Sequence, residues 1–385
     1  MRTTTPIFIH SLFRSASTYF FQKFRSLGPD YTCFQEPLNE SLTALNHPSR
    51  HARLLQSPHG SPLRHPPLDR PYFYEFWTHR QQLRGLFREQ FAYRQYFPDS
   101  SGRLPAAQSR YLQALLASAQ GRPVLQFCRS SGRTAALRRE FGGLHIHLWR
   151  EPRVQWWSYK VADYFDSVSQ RIFQAEHLPE SLARVRSLVG SLQAGGHVLR
   201  PRDNYLLFYG IWLDSWLRLQ SHADLSINVD AIGASSALNA SCARQLSALV
   251  ERALDLSDVR ASGMVFTPEE QSFYADSEQA VHAIFVQTRR GTSHSVEAGN
   301  DAARAARALH ERLGHDAAAE RNVRVAALAM MERLAERQSH RLTWPGRLHP
   351  RRLLELWQAL QAPPPEPRGE PVSAQSRLNL PASDG

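Results

Sequence analysis

Five consecutive residues near the N-terminus, Arg14-Ser15-Ala16-Ser17-Thr18, place a fixed positive charge beside three hydroxyls. Such a run suits an oxyanion, because the guanidinium supplies charge and planar donors while the hydroxyls add further donors. If the run also joins a strand to a helix, backbone N–H groups and the helix dipole converge on the same point. The plainer role is a capped helix start with Ser17 as N-cap. Further along, Arg150 is followed eight residues later by Ser158. Eight residues cover about two helical turns, so these two share an anion only where the chain between them curls back. Glu36, in Phe34-Gln35-Glu36-Pro37-Leu38-Asn39, is a carboxylate that can take a proton from a hydroxyl, or cap a helix, or pair with an arginine. His10 competes for the proton-accepting role. Arg129 and Arg133, in Arg129-Ser130-Ser131-Gly132-Arg133, can hold an anionic substrate or stand as solvated surface charge.

These residues need elements to position them. Pro6-Ile7-Phe8-Ile9-His10 reads as a strand, Thr18 to Arg25 as a helix stopped by Gly28-Pro29, and Tyr31-Thr32-Cys33-Phe34 as a second strand leading to Glu36. Residues 46–71 read as a long loop, 72–97 as helical, and a helix is expected near 105–119. Pro123 to Cys128 and Leu144 to Trp149 are buried-type strands around a helix at 134–141, and a helix after Arg150 runs through Tyr164. The stretch 170–222 reads as mostly helical, 225–229 as a strand, and helices follow near 238–254, 268–286, 300–313 and 316–338. Strands alternating with helices predict an α/β fold: a parallel sheet flanked by helices, with a helical C-terminal part. The predicted organisation is one catalytic domain over 1–361, with 40–120 as an insertion on the acceptor side. Residues 362–385, rich in Pro, Ser and Glu, are a tail with too little apolar content to join a core. Trp156-Trp157 and the aromatics of 72–77 are read as core.

A formal charge of +11, mostly from arginine, suits a polyanionic partner but does not choose one. There is no GxxxxGK[ST] loop, HExxH pair or CxxC pair, which disfavours an ATPase, a zinc protease and a redox centre. Cys33, Cys128 and Cys242 are few and far apart, as expected in a reducing compartment, and no run is apolar enough for a membrane helix. A cytoplasmic location is the expectation.

Taken in order, Arg14-Ser15-Ala16-Ser17-Thr18 and Arg150-Glu151-Pro152-Arg153…Ser158-Tyr159 resemble the two phosphate-binding motifs of sulfotransferases that use 3′-phosphoadenosine 5′-phosphosulfate. The likeness covers roughly residues 6–40 and 123–165. It implies a P-loop-like sheet in which Arg14, Ser15, Ala16, Ser17, Thr18 and Tyr19 hold the 5′-phosphosulfate, while Arg150 and Ser158 hold the 3′-phosphate. The Glu36-Pro37-Leu38 segment is similar to that of bacterial and carbohydrate sulfotransferases, which implies Glu36 as base, with Arg14 assisting at the reacting group. It also tilts the hydroxyl-bearing acceptor towards a saccharide. No metal is required in this scheme. Ala16 departs from the family's usual glycine, and a left-handed backbone there would strain it. Two other readings compete. A P-loop kinase-like enzyme would need a P-loop lysine and a magnesium-binding Asp at a strand end, and neither stands in place. A nucleic-acid-binding protein has only the basic charge behind it.

Overall fold

The computed structural model describes residues 5–56, 68–159, 164–190, 201–261 and 266–289. Five short strands form one parallel sheet: β1 (Ile7–Ser11), β2 (Tyr31–Gln35), β3 (Arg122–Phe127), β4 (Leu144–Trp149) and β5 (Leu225–Asn228). Their order across the sheet is β2-β3-β1-β4-β5. Every residue of β1 is buried, which is why it reads as a continuous apolar run and not an alternating one: helices cover both faces of a parallel sheet. On one face Ile7, Ile9, Cys33, Val124, Ile146 and Leu148 pack against Phe20, Phe21 and Phe24 of helix α1 (Ser17–Arg25). On the other face, Phe8, Phe34, Leu125 and Phe127 meet the segment between β2 and β3.

That intervening segment is less helical than its sequence suggests. A 3-10 helix, Glu40–Asn46, leads into the expected loop, and a second, Pro48–Leu55, lies within it. Within 72–97 the expected long helix is replaced by short helices α2 (Tyr74–Thr78) and α3 (Arg80–Leu83) and one 3-10 turn, Glu89–Phe91. Gly85, at φ 76°, turns the chain there. The aromatics do not form one stripe; Tyr72, Phe73, Phe76, Phe87, Phe91, Tyr96 and Phe97 are buried in several directions, so tertiary packing overrides helical continuity. Helix α4 (Ala106–Ser118) then leads into β3.

The remaining described helices are α5 (Thr134–Phe141), α6 (Pro152–Tyr159), α7 (Tyr164–Phe173), α8 (Glu180–Val189), α9 (Pro201–His222), α10 (Val229–Ala234), α11 (Ser236–Val250) and α12 (Pro268–Arg289). The helix expected at 238–254 is α11, capped by Ser235, and the short helix α10, capped by Asn228, precedes it where none was expected. Trp156, Phe165, Leu182, Val185, Tyr205, Phe208 and Phe273 form a third, largely aromatic core among the helices. The helices expected at 300–313 and 316–338 and the tail from 362 lie outside the described residues. Among the described residues no helix is long and apolar enough to cross a membrane, and all of them fall in one compact unit within Met1–Glu332.

Candidate functional site

The chain leaves β1 towards β2 on one side, and later reaches β4 on β1's other side. The carboxyl ends of β1 and β4 therefore flank a topological switch point, the place where open parallel sheets receive ligands. The Arg14 loop follows β1 and Arg150 follows β4, so both arginine motifs stand at this crevice.

The loop has an alternating backbone. Arg14 (φ 66°) and Ala16 (φ 57°) are left-handed and flank Ser15. Alternating handedness of this kind turns successive N–H groups towards one concavity. Holding a non-glycine residue there costs on the order of 1–2 kcal/mol, so Ala16 does carry the strain anticipated for it. Ala16 itself is the N-cap of α1, which corrects the expectation for Ser17: Ser17 is the first helical residue, and its Oγ lies 3.4 Å from Cys128 Sγ. Thr18 Oγ1 accepts from Gln35 Nε2 at 3.2 Å. The Ser15 side chain is fully enclosed, yet among the described residues its Oγ has no hydrogen-bond partner. A buried hydroxyl without a partner is costly unless a ligand or water completes it, and this one sits in the loop's centre.

Arg14 Nε donates to Ser158 Oγ at 2.8 Å, across 144 positions, and its guanidinium lies over the Phe165 ring. Ser158 thus joins Arg14, not Arg150. Arg150 donates from Nε and Nη2 to Asp230 Oδ1 at 3.0 and 2.7 Å, while Glu151 N donates to Asp230 Oδ2. Asn228 Oδ1 caps the helix that carries Asp230, so Arg150 is held from β5 and not by the α6 serine. The Tyr19 hydroxyl donates to Asp258, beside Lys23, which corrects its expected place on the phosphosulfate.

Glu36 ends β2, and Arg129 follows the end of β3 next to it. The register Gln35 with Gln126 sets the two strand ends side by side. Arg129 Nη1 bonds Glu36 Oε2, and Nη2 donates to Glu40 Oε2 at 2.7 Å and to the hydroxyls of Tyr93 and Tyr164. Glu36 also accepts from Tyr72 and Asn39, each at 3.0 Å. Burial pushes the Glu36 carboxyl up, but Arg129 and bonds from Asn39, Cys128 and Tyr72 outweigh it and hold it below the ordinary carboxylate value. Of the roles open to Glu36 in the sequence, this is the pairing with a buried arginine. It is backbone-strained as well, at φ 47°.

Three other candidates move inward. Arg129 is 1 % exposed, so it is the internal counter-ion of Glu36 and Glu40 and not a free substrate-binding cation. Arg133 is equally buried, donates to Phe91 O and stacks on Tyr96, and burial pushes its guanidinium down to about 9. That location removes it from any acceptor at the crevice. His10 is fully enclosed between Phe8, Phe127 and His145, bonded to Ser130 and His145. Burial first, then His145 and His147, lowers its pKa, and with both nitrogens occupied it cannot serve as an open base. Trp156 and Trp157 are core, as expected.

Glu40, Tyr72, Tyr93, Tyr164 and Asp230 complete the site without having been singled out in the sequence. Glu40 had a signal, four residues past Glu36 in one polar segment; the tyrosines lie in aromatic-rich stretches where spacing separates none from core. A scan against protein-family models, a search of curated proteins and a search of solved structures each returned no match.

Proposed function

We propose that the chain transfers a sulfuryl group from 3′-phosphoadenosine 5′-phosphosulfate to an acceptor hydroxyl. The observation that carries this reading is the hydrogen bond from Arg14 to Ser158. It joins two anion-suited motifs, far apart in sequence, at the carboxyl end of the sheet where a nucleotide is expected. The unpartnered Ser15 hydroxyl inside the left-handed loop adds a donor that lacks an acceptor, which fits an anionic phosphosulfate.

In this reading the loop N–H groups, Ser15 and Arg14 stabilise charge on the bridging oxygen as the leaving phosphate departs. Positioning and electrostatics do most of the work, as in phosphoryl transfer. Arg150, held by Asp230 through Nε and Nη2, turns its remaining edge to the 3′-phosphate. The saccharide acceptor remains part of the proposal on the strength of the Glu36-Pro37-Leu38 segment.

Calorimetry with 3′-phosphoadenosine 5′-phosphate, AMP and ATP tests the donor. Binding of the first should be far tighter than of the other two; equal binding of AMP overturns the 3′-phosphate assignment. Arg150→Ala should weaken the first by about 1.5–3 kcal/mol, the scale of a lost charge-assisted contact, and leave AMP nearly unaffected.

A further inference from the structure

Two carboxylates share the Arg129 fork, and they differ in what remains open on them. Glu36 accepts from Tyr72 on Oε1 and from Arg129 and Asn39 on Oε2. These three donors take three of the roughly four lone-pair positions that a carboxylate offers, as many as Glu40 has taken, so burial and not hydrogen bonding separates the two. The Glu36 side chain is also enclosed, at 7 % exposure. An acceptor hydroxyl would have to enter this enclosure to give its proton to Glu36.

Glu40 is built differently. It is 22 % exposed. Oε1 accepts from Tyr164 at 3.0 Å and, at the long distance of 3.4 Å, from Tyr93; Oε2 accepts from Arg129 at 2.7 Å. A lone pair on Oε2 is left over, and the side chain reaches solvent. Arg171, half exposed, lies 3.8 Å away and covers the Tyr93 ring. The cluster is tied to the anion loop, because Arg129 stacks on Phe13, the residue before Arg14, and Tyr164 precedes Phe165, on which Arg14 stacks.

We propose that Glu40, and not Glu36, takes the proton from the acceptor hydroxyl, with Tyr93, Tyr164 and Arg129 holding its carboxylate and Glu36 serving to position Arg129; this rests on the sulfuryl-transfer reading. As the acceptor oxygen forms its bond to sulfur, the bond from sulfur to the bridging oxygen breaks. The electron pair leaves on the 5′-phosphate of 3′-phosphoadenosine 5′-phosphate, and the acceptor's proton passes to Glu40 Oε2.

The test uses the full chain, 3′-phosphoadenosine 5′-phosphosulfate labelled with sulfur-35, and water as the acceptor present in every assay. Sulfate release, binding of 3′-phosphoadenosine 5′-phosphate and melting temperature are measured for the wild type, Glu40→Gln and Glu36→Gln. Glu40→Gln should lower sulfate release by about 10²-fold or more, the range of a general base, with nucleotide affinity and melting temperature near wild type. Glu36→Gln should chiefly lower the melting temperature. If the wild type binds the nucleotide and releases sulfate while Glu40→Gln does so at an unchanged rate, the assignment of Glu40 is overturned and the transfer reading stands. Loss of release in a fully stable Glu36→Gln, with Glu40→Gln active, returns the role to Glu36. A wild type that neither binds the nucleotide nor releases sulfate overturns the transfer reading, and the Glu40 assignment with it.

Discussion

The sheet carries two buried polar clusters, adjacent in sequence at Arg129 and Ser130, and they solve the problem of burial in opposite ways. At the carboxyl ends of β2 and β3, Glu36 and Glu40 form salt bridges with the Arg129 fork. On the face below Phe8, the ladder of Ser130, His10, His145 and Gly142 is neutral. Its direction follows from one fact: the Gly142 carbonyl can only accept. His145 Nε2 therefore donates to it at 2.9 Å, leaving His145 Nδ1 to accept from His10 Nε2, also at 2.9 Å. His10 Nδ1 then accepts from Ser130 Oγ at 2.7 Å. A proton added at His145 Nδ1 would set two N–H groups against each other, whereas a charge removed from the first cluster would leave its partner bare. The charged cluster lies beside the proposed chemistry, whereas the neutral one is enclosed in the core.

The largest expected effect comes from breaking the charged cluster at its centre. Arg129→Met leaves Glu36 buried without a counter-ion and should cost about 3–5 kcal/mol in urea or guanidinium unfolding. A loss below about 1 kcal/mol would mean that the cluster is hydrated and behaves as a surface pair.

Acid should break the ladder before it breaks the cluster. Burial, and for His10 the neighbouring histidines, lower the pKa of His10 and His145, and burial brings that of His147 down to about 3. The unfolded chain therefore takes up protons below about 6.5 while the folded chain does not. Stability is full above that value and falls as the pH drops through the interval down to the folded pKa values, by up to about 1.4 kcal/mol per pH unit for each histidine. Glu36 enters later, because its stabilising charge is lost only as the pH falls from about 4.3 through its lowered folded pKa. In His10→Phe the slope between pH 6.5 and 5 should be shallower in pH-resolved unfolding curves. An unchanged slope would assign the acid response to groups outside the ladder.

The smallest effect sharpens the contrast between both clusters and the anion loop, whose cost is one of backbone and not of solvation. Ala16→Gly should relieve the left-handed strain and stabilise the fold by about 0.5–1 kcal/mol in chemical denaturation. A loss of stability would show that the Ala16 methyl, packed beside the α1 core, contributes more than the strain costs.

Much of the scaffold was legible because its signals are local. The strands Ile7–Ser11 and Arg122–Phe127 are buried on both faces and carry the short apolar runs Ile7-Phe8-Ile9 and Val124-Leu125, while Leu144–Trp149 alternates apolar residues with the buried His145 and His147. The Arg14 loop announced itself by composition. The region 72–97 was misread as helix because aromatic density looks the same whether the aromatics pack in one direction or several. Tyr72 and Tyr93 of the site sit inside that ambiguity, Tyr164 opens a later helix, and Asp230 follows a strand with no pattern of its own.

What the sequence determined alone was the set of strands, the placing of both arginine motifs at strand ends, and an α/β architecture, since periodicity and turn residues act within a few positions of themselves. Only the tertiary structure decided who partners whom. Arg14 took Ser158, Arg150 took Asp230, Arg129 took Glu36 and Glu40, and His10 was drawn into the core. The physical reason is the strand order: placing β2 beside β3 and β1 between β3 and β4 brings residues about a hundred positions apart within hydrogen-bond reach. A charged side chain at a strand end then binds whichever opposite charge or lone pair that order delivers, and no spacing along the chain encodes it.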